Sequence, residues 1–156
     1  MKLYFLRHGK ADWLDWDKPD DERPLTKEGR REMGQIAKFL REIGVAPSVV
    51  LTSPLPRALQ TAEIAAETLK VRVREEPLLQ KGFTATKLAN VLRGTKGGDV
   101  MLVGHEPDFS AVIRELTGGM VSLKKGGFAR VDLDGDDNSA GTLVWLIAPK
   151  MARRED

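Results

Sequence analysis

Apolar runs of strand length alternate with stretches of helical period along nearly the whole chain, and few architectures accept that pattern. Residues 2–6 read as a strand, 26–43 as a helix, 48–53 as a strand and 54–69 as a helix. A short strand at 71–73, a helix at 84–93, a strand at 99–104 and a helix at 107–116 continue the series. Strand–helix alternation of this kind builds a parallel sheet with helices packed on its faces. After Gly118 and Gly119 the pattern changes. "FARVDL" and "TLVWLIA" are strands joined by the polar, glycine-containing "DGDDNSAG", which makes an antiparallel hairpin. The expectation is an α/β fold: a three-layer α/β/α sandwich in a single domain, 1–156, with a mostly parallel sheet and one antiparallel hairpin.

Local chemistry sets the ends of these elements. Met33, Ile36, Ala37, Leu40 and Ile43 recur at helical spacing, with Thr26 as a cap and Gly44 as a stop. Thr84 and Gly94 bracket the third helix, and Phe109, Val112, Ile113 and Leu116 share one face of the fourth. The second helix carries proline near its first turn, and Ser53 is read as its cap. "DVMLVG" is apolar on both alternating faces, which places it at the centre of the sheet. Trp145 is read as core.

Composition removes several function classes. With no cysteine, the chain has no disulfides, no thiolate metal site and no cysteine nucleophile. Its 25 basic and 23 acidic residues are too balanced for a nucleic-acid binder that works by bulk charge. No apolar run approaches the ~20 residues that cross a bilayer. The segment "MKLYFLRHG" lacks a small-residue cleavage site and reads as a strand, not a signal peptide. These features set the expectation of a cytoplasmic protein without membrane partners. There is no G-x-S-x-G elbow and no phosphate-binding G-x-x-x-x-G-K-[ST] loop. Two histidines leave little for a metal site, although the acidic run 15–22 offers weak cation binding. Neither a metal nor a cofactor is expected.

In an open α/β sheet, ligands bind beyond the carboxyl ends of the parallel strands. The first strand delivers Arg7 and His8 there, the second leads to Arg57, and the apolar strand 99–104 leads to His105. Taken singly, these residues pass for surface ion-pair partners and packing histidines. Together they make a site for a dianion. Arginine forks match phosphate oxygens, and helix starts at Arg57 and Pro107 add favourable dipoles. One histidine can attack phosphorus while the other donates to the equatorial oxygens. Gly9 is expected to admit the phosphate close to the backbone. Lys10, Lys124 and Lys125 read as solvated, and Trp13 and Trp16 as residues of a site rim.

The ordered motifs "LRHG", "RPLTKEG" (23–29), "TSPLPRALQTAE" (52–63) and "VGHEP" (103–107) resemble those of the histidine phosphatase superfamily, with its phosphoglycerate mutase-like fold. The short length and the "ERPLTKEG" segment are similar to the small bacterial phosphohistidine phosphatase (SixA) branch. The resemblance implies that His8 is the phosphorylated nucleophile and that Arg7, Arg57 and His105 form the phosphate pocket. Arg23 is placed near its rim. Many members carry a proton-donating carboxylate after the third strand, where this chain reads "REEPLLQKGF". The donor is therefore unassigned, with Glu75, Glu76 and Asp12 as candidates and Asp21 and Glu106 behind them.

The leading reading is a metal-independent phosphatase that works through a phosphohistidine intermediate on His8, with phosphohistidine on a protein as the expected substrate. A small-molecule phosphomonoesterase or a mutase-like phosphoryl transferase is the alternative. The transferase needs a closed site that keeps water from the intermediate, and no insertion long enough for a lid is present. A non-catalytic phosphate-binding module is the third reading, and the retained His8 and His105 argue against it.

Overall fold

The computed structural model describes residues 1–152. Its elements are β1 (Lys2–Arg7), α1 (Lys27–Glu42), β2 (Val49–Thr52), α2 (Pro56–Leu69), β3 (Val73–Glu75), α3 (Ala85–Arg93), β4 (Val100–Gly104), α4 (Asp108–Thr117), β5 (Phe128–Asp134) and β6 (Ala140–Ile147). The strands form one sheet in the order β3-β2-β4-β1-β5-β6. The first four positions pair in parallel, while β5 and β6 add antiparallel.

Alternation along each strand feeds two cores. Leu3, Phe5, Leu51, Val100 and Leu102 pack with Leu88, Val91, Phe109 and Val112 of α3 and α4. Tyr4, Leu6, Val50, Met101 and Val103 pack with Met33, Ile36, Leu40, Ala58 and Ala62 of α1 and α2. With helices on both faces, the central β4 has no polar side to show, and its uninterrupted apolar sequence follows.

The helix ends obey the capping chemistry in most cases. Thr26 accepts from Gly29 N at 3.0 Å, Thr84 accepts from Lys87 N at 3.2 Å, and Gly44 turns the chain at φ 86°. Three expectations need correction. The strand read at 71–73 lies at Val73–Glu75, because Val71 N is still bonded to Ala66 O at 3.1 Å and closes α2. The cap of α2 is Leu55, without a side-chain bond, and not Ser53. Trp145 is only half-buried, though it packs edge-on to Phe128 at 5.6 Å. No helix among the described residues is long and apolar enough to cross a membrane.

Candidate active site

Strands β1, β2 and β4 end at one edge, and the residues that follow them line a single cavity of about 210 Å³. Arg7, His8, Arg57 and His105 meet there, with Arg23 also on the wall. The backbone locks the end of β1 in place. His8 N donates to Gly104 O at 3.1 Å, and Arg7 N donates to Gly127 O at 3.0 Å. The rings of His8 and His105 stand 5.4 Å apart.

His8 is 8 % exposed, and its Nδ1 lies 2.8 Å from the carbonyl oxygen of Gly9. A carbonyl only accepts, so Nδ1 carries the proton and Nε2 keeps its lone pair. Burial, reinforced by His105, Arg57 and Arg7, pushes His8 down to about 3, so the ring is neutral near pH 7. His105 is pushed down to about 4, by burial first and then by Arg57 and Lys81. Its Nε2 lies 2.8 Å from Ser53 Oγ. Leu55 N already donates to that oxygen at 3.3 Å, so the serine proton is available for His105 Nε2. That arrangement makes Nδ1 of His105 an N–H, and this buried atom has no hydrogen-bond partner among the described residues.

The arginines are held by backbone and by one carboxylate. Arg7 donates to Leu123 O at 2.9 Å, and Arg57, 3 % exposed, donates to Asp20 O at 3.0 Å. Arg23 donates to Ala11 O at 2.7 Å. The Asp20 carboxylate gathers three cations: Arg23 at 2.8 Å, Lys81 at 3.3 Å and Arg57 at 3.6 Å. Lys81 also pairs with Asp21 at 3.0 Å. Asp20 and Asp21 of the acidic run thus serve side-chain cations, where the sequence suggested weak cation binding.

Several sequence expectations change at this site. Gly9 is needed for packing: a Cβ there lies 2.7 Å from Met33 Cγ. Trp13 and Trp16 do not line the cavity. They pack on each other at 6.1 Å and donate to Pro24 O and Pro19 O, which braces the loop after β1. Lys10 pairs with Glu28 and Glu32, and Lys125 with Asp12. The candidate donors Glu75 and Glu76 lie outside the cavity; Glu75 is exposed and Glu76 accepts from Leu78 N. Asp12 and Glu106 line it. Glu106 is occupied by Ser110 N, Ser110 Oγ and Leu123 N. The sequence reading missed Asp20, Lys81 and Ser53. An acid just upstream of "ERPLTKEG" is a signal for Asp20, whereas Lys81 sits in a patternless loop.

Residues 3–81 match the family model of the histidine phosphatase superfamily, branch 1. The chain belongs to the histidine phosphatase superfamily. It is 39% identical to an uncharacterised protein of Picosynechococcus, over 96% of this chain and 98% of the other. It is 30% identical to the phosphohistidine phosphatase SixA of Escherichia coli, over 98% and 99% of the two chains. The structure of the protein histidine phosphatase SixA complexed with tungstate superposes with a TM-score of 0.84 at 28% identity, covering 98% of this chain and all of that one. The fold is accordingly the phosphoglycerate mutase-like one. Membership in this superfamily and the similarity to SixA support a phosphatase.

Proposed function

We propose that this histidine phosphatase works through a phosphohistidine intermediate on His8, and that its substrate is phosphohistidine carried by a protein. The observation that carries the reading is the 2.8 Å contact between His8 Nδ1 and Gly9 O, which leaves a neutral ring with its Nε2 lone pair free beside two arginines. Nε2 attacks phosphorus, a new P–N bond forms, and the bond from phosphorus to the leaving group breaks. Water then attacks the phosphorylated His8, the P–Nε2 bond breaks and returns its electron pair to Nε2, and phosphate leaves as the dihydrogen ion carrying both protons of that water. Arg7, Arg57 and the Nδ1–H of His105 hold the equatorial oxygens as charge spreads over them. The cations come from side chains, so the reaction requires no metal. The similarity to the phosphohistidine phosphatase SixA supports this substrate class. The engagement of the cavity's carboxylates favours it too, with Asp12 on Lys125, Asp20 on three cations and Glu106 on Ser110 and Leu123, because an imidazole leaves readily without strong acid help.

The test is trapping with a phosphorus-labelled donor. Wild-type chain acquires an acid-labile, base-stable label on His8, and His8→Ala loses both the label and phosphate release. Full turnover by His8→Ala overturns the reading.

A further inference from the structure

A second, larger cavity of about 450 Å³ opens beside the phosphate pocket and shares Arg7, Asp12 and Lys125 with it. The common rim is the Asp12–Lys125 ion pair at 2.5 Å. Beyond that rim the groove runs past Lys10 and Glu32 to Lys124, Pro149 and Lys150. Both of its carboxylates are already engaged by lysine: Asp12 by Lys125, and Glu32 by Lys10 at 3.3 Å. Lys124 and Lys150 are exposed and make no ion pair among the described residues. The groove therefore leads out of the proposed phosphate site towards two lysines that have no ion pair among the described residues.

Apolar side chains flank the same edge. β6 runs in the direction of β1, because each is antiparallel to β5, so the residues after β6 emerge beside those after β1. Leu14, in the loop after β1, is 100% exposed, and Met151, next to Lys150, is 66% exposed. A small molecule has no use for separated apolar residues outside its pocket. A protein surface covers them, with charge complementarity fixing the register.

We propose that this groove docks an acidic segment of the phosphorylated protein, whose Asp or Glu side chains meet Lys124 and Lys150 while its phosphorylated residue reaches His8. Leu14 and Met151 take apolar contacts from the same partner surface. The proposal rests on the phosphatase reading above and adds to it the charge and texture of the substrate around the phosphorylated residue.

The experiment compares wild type with the double variant Lys124→Glu/Lys150→Glu on three donors. These are phosphoramidate, a phosphohistidine peptide with flanking Asp and Glu, and the same peptide with Asn and Gln. Wild type is expected to prefer the acidic peptide by about tenfold in kcat/KM, through KM, with the preference fading as salt rises. The double variant is expected to lose that preference and to keep its rate on phosphoramidate, which is too small to reach the groove. Turnover of phosphoramidate with equal use of both peptides by wild type overturns the docking proposal alone. A double variant that retains the acidic preference also overturns it. A small bisphosphate that competes with the acidic peptide, and does so only when Lys124 and Lys150 are present, reassigns the groove to small dianions and overturns it as well. No turnover of any donor by wild type overturns the phosphatase reading, and the docking proposal with it.

Discussion

Ser53 Oγ stands 2.8 Å from Nε2 of His105, and this contact decides which ring nitrogen of His105 carries its proton. With the serine donating, Nδ1 becomes the N–H, and in the proposed mechanism it meets a phosphoryl oxygen. Removing the hydroxyl frees the ring to take the other tautomer and to turn. Ser53→Ala is expected to lower kcat about tenfold with little change in KM, since a bond that strengthens in the transition state acts on kcat. Ser53→Thr, which keeps a hydroxyl, is expected to recover part of the loss. A rate unchanged in Ser53→Ala shows that His105 is oriented by packing alone.

Burial of two neutral histidines ties stability to pH. In the unfolded chain both titrate near 6.5, whereas in the folded protein His8 is pushed down to about 3 and His105 to about 4. Between those values the unfolded state binds more protons. Stability therefore falls as pH drops below 6.5, by up to ~1.4 kcal/mol per pH unit for each histidine. Urea unfolding at pH 7, 6 and 5 is expected to show a shallower loss in His8→Asn/His105→Asn than in wild type. Equal slopes mean that water reaches both rings.

Asp20 places one negative charge among the cations that would hold a phosphoryl dianion in the proposed reaction. Burial pushes its carboxyl up, but Lys81, Arg23 and Arg57 outweigh that and hold it below the usual carboxylate range. Asp20→Asn removes the charge and keeps the backbone bond from Arg57 to Asp20 O. Inhibition by orthovanadate is expected to tighten about threefold to tenfold at low salt, and less at high salt. Weaker inhibition shows instead that the carboxylate positions Arg57 and Arg23.

Gly29 marks where α1 rests on the segment just after His8. A Cβ there lies 2.2 Å from Lys10 O, a backbone atom that also accepts from Thr26 N at 3.0 Å. No rotamer relieves that clash. Gly29→Ala is expected to cost about 3 kcal/mol and to lower kcat in the folded fraction, because relief moves the Gly9–Lys10 backbone. A Cβ added at Gly34 in the same helix meets open space, so Gly34→Ala is expected to stabilise by ~0.5–1 kcal/mol. Thermal melts of the two variants check both signs.

The parts of this molecule that were legible in the sequence are those fixed by local periodicity and by strand ends. The uninterrupted apolar β4 announces a strand covered on both faces, and Arg7, His8 and His105 are legible because they follow strands that must end at one edge. β3 slipped by two residues because its valines suit a strand wherever they stand, while the bond from Val71 N to Ala66 O belongs to the helix. The contact between Asp20 and Lys81 spans 61 residues and joins a 3₁₀ turn to a loop, neither of which has a period to read. Gly9 looked like room for a phosphate, but its neighbour is Met33 of α1, and only packing reveals that.

In the proposed reaction, the carboxylates of the site decide which leaving group can be expelled. Asp12 is held low, first by its bond to Lys125, although burial opposes this. Asp20 is held low by its three cations, and Glu106 spends both oxygens on Ser110 and Leu123. Neither aspartate is a protonated acid waiting at neutral pH, both oxygens of Glu106 are engaged, and Glu75 and Glu76 lie outside the cavity. Expelling an alkoxide needs such an acid, whose help is typically worth ~10²–10⁴-fold. An imidazole, with a conjugate acid near ~6.5, leaves with far less assistance. A phosphohistidine peptide is therefore expected to exceed a phosphoserine peptide of matched sequence by at least ~100-fold in kcat/KM at pH 7. Equal values mean that a carboxylate of the pocket takes up a proton when the phosphoryl dianion arrives. Asp12→Asn and Asp20→Asn, each assayed on phosphoserine, then identify which one, because only the true donor loses that activity while phosphohistidine turnover survives.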